Sequence, residues 1–107
     1  MNIIDIGLYA DSEKFSLEAE GHACYGPYGE DIVCAAVSIL CDTLKKRCRE
    51  LEYEGEAEII NEESSVGLQR LEVKAAPGSA AREAFNTVAA GLDMLEYSYP
   101  RYVCVGY

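Results

Sequence analysis

The sequence predicts an α+β fold: a single sheet built from two hairpins plus a closing strand, with two helices, in the order ββαββαβ. Three observations predict it. Two pairs of segments alternate apolar and polar residues, and a stretch with helical apolar spacing follows each pair. The chain has 107 residues, a length that suits one domain with a modest core. We therefore expect residues 1–107 to form a single domain.

The first hairpin is predicted from two short alternating segments. Apolar residues recur at every second position in residues 2–10, and again in residues 15–20. A short polar turn separates the two segments, which is typical of two half-buried strands joined as a hairpin. The apolar face of the first strand consists of Ile4, Ile6 and Leu8.

The clearest element is a helix that begins after Asp31 and runs to about Leu51. Asp31 suits the N-cap because its carboxylate can accept hydrogen bonds from the first backbone N–H groups. Apolar positions recur at alternating intervals of three and four and form one stripe. The stripe consists of Cys34, Val37, Cys41, Leu44, Cys48 and Leu51. Basic side chains are expected in the last turns, where cations suit the negative end of the helix dipole. They are Lys45, Lys46, Arg47 and Arg49.

The second hairpin and the second helix follow a turn at residues 54–56. Residues 57–61 and 67–75 are the predicted strands, and the alternation is clearer in the second of them. A helix is predicted for residues 80–97, with a closing strand at residues 102–106. The predicted buried face of this helix consists of Ala81, Ala84, Phe85, Val88, Leu92 and Leu95.

The composition is strongly acidic, with 19 acidic and 9 basic residues and a formal net charge of -10. This charge argues against nucleic-acid binding, which needs a basic surface. It favours encounters with cationic partners, or it serves only to keep the protein in solution, and composition leaves both open. No apolar run approaches the roughly 20 residues that span a bilayer. The N-terminus also lacks the pattern of an export signal. We therefore expect a cytoplasmic protein with no membrane association.

Five cysteines occur, at positions 24, 34, 41, 48 and 104. An odd number without an export signal argues against a disulfide framework. No pair has the C-x-x-C spacing, which argues against a thioredoxin-type redox motif and the usual structural zinc pairs. The pattern predicts reduced thiols, and we expect no metal and no other cofactor.

One segment combines residues that suit thiol chemistry. The only histidine, His22, lies where a strand gives way to a glycine-rich loop, and the loop leads to Cys34 in the first turn of a helix. The helix N-terminus favours a thiolate, and its exposed N–H groups could stabilise an oxyanion. An imidazole can accept the thiol proton and later protonate a leaving amine. Spacing alone leaves a second interpretation open, in which Cys34 is a core residue and His22 a hydrogen-bonded structural histidine.

Residues 21–38 resemble the ribosomal-processing cysteine protease (Prp) family. Its members carry a Gly-His-Ala motif, a glycine-containing loop, and then Asp-Ile-Val-Cys-Ala-Ala-Val-Ser. Residues 21–23 and 31–38 match both motifs here, and the order of elements is similar across nearly the whole chain. The resemblance implies a cysteine endopeptidase with Cys34 as nucleophile and His22 as general base. It also implies a homodimer, and as substrate a large-subunit ribosomal protein precursor whose short N-terminal extension is removed.

Further residues are candidates for supporting roles in such a site. Asp31 either caps the helix or orients His22. Ser38 lies one turn beyond Cys34 on the same face, and it bonds either within the site or to the helix backbone. The loop supplies residues that could contact substrate or could be ordinary exposed loop residues. They are Tyr25, Gly26, Tyr28 and Gly29.

The sequence is also compatible with two functions of other classes. A non-catalytic acidic adaptor that binds basic ribosomal proteins during assembly would carry the same charge as the enzyme. A redox switch at Cys34 is less well supported, because no resolving cysteine is evident and such a switch requires no histidine.

Overall fold

The described part of the chain contains five strands and two helices in the predicted order. The computed structural model describes residues 3–22 and 31–107. The elements are β1 (Ile4–Ala10), β2 (Lys14–Glu20), α1 (Ile32–Tyr53), β3 (Glu58–Ser65), β4 (Leu68–Lys74), α2 (Ala80–Ser98) and β5 (Val103–Gly106). The α+β class and the order ββαββαβ are thereby confirmed.

The strands form one sheet in the spatial order β3-β4-β2-β1-β5. Both hairpins are antiparallel, and β2 joins them by pairing with β4. The closing strand β5 lies parallel to β1, with Val103 opposite Ile4. This arrangement makes β2 the central strand, with β4 and β1 on either side of it and β3 and β5 at the edges.

The core lies between one face of the sheet and the two helices. The predicted apolar face of β1, Ile4, Ile6 and Leu8, is buried. Phe15 of β2 stacks on Phe85 of α2 with ring centroids 4.6 Å apart. Such an aromatic pair contributes roughly 0.5–1.5 kcal/mol beyond the burial of its area. The pair therefore helps to fix α2 against the sheet.

Two elements extend more than one residue beyond their predicted ends. The strand predicted to end at residue 61 continues to Ser65. Its last four residues are polar and half-buried or exposed, so they show no apolar alternation from which a strand could be predicted. The first helix continues to Tyr53 rather than Leu51. Its basic residues therefore lie before the last turn, and one of them, Lys45, is buried.

Arg82 of α2 is a buried cation that the sequence pattern did not reveal. Its Nε donates to the carbonyl oxygen of Ala75 at 2.8 Å. Its Nη2 donates to the carbonyl oxygens of Lys14, at 3.1 Å, and Asp11. These bonds satisfy backbone acceptors after β4 and at the β1–β2 turn, and they hold both segments against the start of α2.

Candidate active site

The start of α1 presents Cys34 as predicted. Asp31 is the N-cap residue, and its Oδ1 accepts hydrogen bonds from the backbone N–H groups of Val33 at 2.9 Å and Cys34 at 3.0 Å. Cys34 occupies the third helical position and its side chain is only partly buried, whereas that of Val33 is fully buried.

The same cap affects the proposed oxyanion donors. From the sequence we predicted that exposed N–H groups in the first turn could stabilise an oxyanion. The N–H groups of Val33 and Cys34 already donate to the Asp31 carboxylate. An oxyanion at this position would compete with that carboxylate for them.

A sharp change of backbone direction at Gly21 positions His22 directly after β2. Gly21 has φ +113°, and a Cβ at this position would overlap the carbonyl oxygen of Ile3. Only glycine fits such a conformation without strain. The Gly21 N–H also donates to the carbonyl oxygen of Gly67 at 2.9 Å. The Gly-His motif therefore places an exposed histidine beside the β3–β4 turn.

Cys34 and His22 line the same cavity, which has a volume of about 610 Å³. Asp31 and Ser38 line it as well, so the fold brings together four of the predicted site residues. Most of its other lining side chains are apolar, and these are Ile4, Ala19, Ala35, Val37, Val66 and Leu68. The cavity thus combines a thiol and an imidazole with an apolar surface that can accept part of a peptide.

The β3–β4 turn forms a wall of this cavity that the sequence analysis missed. Residues from Ser65 to Gln69 line it. A short turn with a glycine between two strands is a hairpin signal that the sequence does contain. Nothing in the local pattern, however, indicated that this turn lies beside His22.

Lys45 anchors the hairpin that carries this turn. It is only 2% exposed, and its Nζ donates to the carbonyl oxygen of Glu63 at 2.8 Å and to Oε1 of Gln69. Because burial penalises the charged form, the pKa of Lys45 lies below its usual value. Through these bonds α1 holds a backbone atom before the turn and a side chain after it.

The other described cysteines are less suited to catalysis than Cys34. Cys41 and Cys48 are fully buried, and burial raises the pKa of each thiol to about 11. Their thiolates are therefore disfavoured near neutral pH. Cys104 is exposed on β5 but does not line the cavity. Cys24 lies outside the described residues.

Several predictions fall on residues 23–30, outside the described part of the chain. They concern the loop candidates Tyr25, Gly26, Tyr28 and Gly29. Across residues 3–22 and 31–107, no group of three or more His, Cys, Asp or Glu side chains could hold a metal ion. Within those ranges, neither helix has the length and apolar character needed to cross a bilayer.

Comparison with known proteins identifies the family. A family model described as cysteine protease Prp matches residues 3–104. The chain belongs to the Prp family of cysteine proteases. This confirms the resemblance and the enzyme class, and it favours the enzyme over the adaptor. No curated protein matches the chain.

Solved structures share the fold of this Prp-family chain. An essential ribosomal processing protease Prp from S. aureus, with a covalently linked product peptide, has a TM-score of 0.76 and 22% identity, covering 100% of this chain and 99% of the other. The same protease with a substrate peptide has a TM-score of 0.66 and 20% identity, with coverages of 100% and 99%. SMU.848 from Streptococcus mutans has a TM-score of 0.65 and 24% identity, with coverages of 97% and 92%.

Proposed function

We propose that this protease removes a short N-terminal extension from a large-subunit ribosomal protein precursor, with Cys34 as nucleophile and His22 as general base. The observation that carries the proposal is the cavity that these two residues share. Family membership supports the peptidase chemistry. The S. aureus relatives, described as ribosomal processing proteases, support the choice of substrate.

The first half of the reaction acylates the cysteine. His22 takes the proton from the Cys34 thiol, and the thiolate sulfur attacks the carbonyl carbon of the scissile peptide bond. The C=O π electrons move to oxygen and give a tetrahedral oxyanion. As the oxyanion collapses, the C–N bond breaks and the His22 imidazolium donates its proton to the leaving amine. The products are a thioester on Cys34 and the mature N-terminus of the ribosomal protein.

The second half hydrolyses the thioester. His22 accepts a proton from a water molecule as the water oxygen attacks the thioester carbonyl carbon. The C–S bond then breaks, the removed extension leaves as a carboxylic acid, and the His22 imidazolium returns its proton to the sulfur, which restores the thiol of Cys34. One imidazole therefore serves both halves of the cycle, alternating between base and acid.

Two properties of the chain suit such a substrate. Ribosomal proteins are typically basic, and the formal charge of -10 would speed encounters with a cationic partner. The largely apolar wall of the cavity would accept apolar side chains next to the cleaved bond. Cleavage should therefore slow as salt is added, because salt screens the long-range attraction.

The supporting roles and the cellular setting are also proposals. Asp31 acts mainly as the helix cap, in keeping with its two backbone hydrogen bonds, and Ser38 contacts the site from one turn further along α1. We also infer a cytoplasmic homodimer without a cofactor, from the family resemblance and the sequence pattern. Sedimentation of the purified chain tests the dimer.

The test is cleavage of a peptide that spans the extension junction, followed by mass spectrometry. Cys34→Ala should abolish cleavage, because no other described cysteine lines the cavity. His22→Ala should slow cleavage by about 10²–10⁴-fold, the usual contribution of a general base.

Cys104→Ser is the matched control, since it removes an exposed thiol outside the cavity. It should cleave the peptide at the parent rate. A Cys34→Ala protein as active as Cys104→Ser would refute the assignment of the nucleophile.

A further inference from the structure

One glycine of the β3–β4 turn lies directly against the imidazole of His22. A Cβ placed on Gly67 would lie 2.8 Å from Nε2, 3.3 Å from Cδ2 and 3.5 Å from Cε1 of His22. Ordinary contacts between such heavy atoms are about 3.5–4.0 Å. These three atoms form the outer end of the ring. This end therefore packs against the backbone of Gly67, in the space that the Cβ of any other residue would occupy.

The same glycine also holds the backbone that precedes His22. Its carbonyl oxygen accepts the hydrogen bond from the Gly21 N–H at 2.9 Å. Gly67 therefore acts on His22 in two ways: it bonds to the residue immediately before the histidine, and it contacts the tip of the histidine side chain. The turn itself is held by Lys45, whose Nζ bonds to residues on both sides of it, Glu63 and Gln69.

We propose that Gly67 is a positioning residue for His22, and that its missing side chain keeps the imidazole where it can exchange a proton with Cys34. The inference rests on the proposed role of His22 as general base. A methyl group at this position would force the ring to rotate away from the turn, because the glycine backbone is fixed and the histidine side chain is not. A displacement of about 1 Å in a catalytic group can slow a reaction by about 10²-fold.

The chain provides two matched controls for Gly67→Ala. Gly67 has φ +77°, so alanine is strained there whatever its neighbours. Gly55, at φ +78°, and Gly78, at φ +81°, impose the same backbone strain, but a Cβ on either would have no atom within 4 Å. All three alanine variants should lower Tm by a similar amount, about 4–16 °C. Only Gly67→Ala should lower kcat/KM for the junction peptide, by about 10–100-fold.

A second measurement reports on the imidazole without relying on activity. The chain has one histidine, so its ring gives a single set of NMR signals. Gly67→Ala should shift the ring signals of His22. Gly55→Ala and Gly78→Ala should leave these signals as in the parent protein.

The outcomes separate this inference from the proposed function. If His22→Ala cleaves the peptide at the parent rate, the proposed function fails, and the inference fails with it. If His22→Ala is impaired but Gly67→Ala matches Gly55→Ala in kcat/KM and in the His22 signals, only the positioning role is overturned. Loss of activity together with shifted His22 signals, in Gly67→Ala alone, supports it.

Discussion

The carboxylate of Asp31 closes the first turn of α1, and its removal tests how far that turn supports Cys34. Its Oδ1 accepts two backbone hydrogen bonds, of 2.9 and 3.0 Å. Loss of an N-cap side chain lowers the free energy of unfolding by about 1 kcal/mol. Loss of a negative charge at a helix N-terminus adds about 0.3–1 kcal/mol. We therefore expect Asp31→Ala to lower the free energy of unfolding by about 1–2 kcal/mol. Each kcal/mol corresponds to a decrease in Tm of about 4–8 °C.

Asp31→Ser separates these two contributions. A serine hydroxyl can accept the capping hydrogen bonds but carries no charge, so the loss should be only about 0.3–1 kcal/mol. Ser79→Ala is the control, because Ser79 caps α2 away from the cavity. Its Oγ accepts a long hydrogen bond of 3.4 Å from the backbone nitrogen of Arg82. The loss in unfolding free energy should therefore be near the lower end for caps, about 0.5 kcal/mol.

The assays are urea unfolding and cleavage of the junction peptide. Asp31→Ala should cleave more slowly because the turn that presents Cys34 frays, Asp31→Ser should recover most of the rate, and Ser79→Ala should retain all of it. Equal stability losses in Asp31→Ala and Asp31→Ser would refute the capping argument. Recovery of stability without recovery of the rate would show that the carboxylate acts on the chemistry, for example by orienting His22.

Two further predictions concern buried groups. Lys45→Met should lower the free energy of unfolding in urea by about 1 kcal/mol, because the acceptors on Glu63 and Gln69 lose their donor. Replacing Gln69 by Leu as well should recover part of this loss. A Lys45→Met protein with the same free energy of unfolding as the parent would contradict the argument. Cys41 and Cys48 should resist iodoacetamide at pH 8 in the folded protein but not in urea, as read by mass spectrometry. Rapid modification of either thiol in the folded protein would refute this protection. Because burial raises the pKa of these thiols from 9.0 to about 11, their contribution to stability is complete below pH 9 and is lost as pH rises towards 11.

The parts of the fold that were predicted are those encoded by neighbours in sequence. The stripe of α1 and the alternation of β2 are local patterns, and each element follows from its own residues. The relation of Cys34 to the helix start was also local, because Asp31 is only three positions away. That His22 lies close enough to share a cavity with Cys34 was implied by family resemblance rather than by spacing.

The missed features depend on tertiary contacts. The wall formed by the β3–β4 turn reaches His22 only after β2 pairs with β4, which no local pattern specifies. The burial of Lys45 was only weakly indicated by the sequence, because Lys45 lies on the same helical face as Cys41 and Cys48. Its charge favoured a solvent-exposed position until the acceptors on the hairpin were known.

The parallel pairing of β1 with β5 sets how late the sheet can be completed while the chain is being synthesised. Ile4 at the start of β1 lines the cavity, and its partner Val103 is separated from it by almost the whole described chain. Such distant pairs form late in folding because a long loop must close first. While residues 103–106 are still inside the ribosome, β1 has an open edge next to the cavity. A nascent chain therefore completes its sheet only after nearly all of this sequence has been translated.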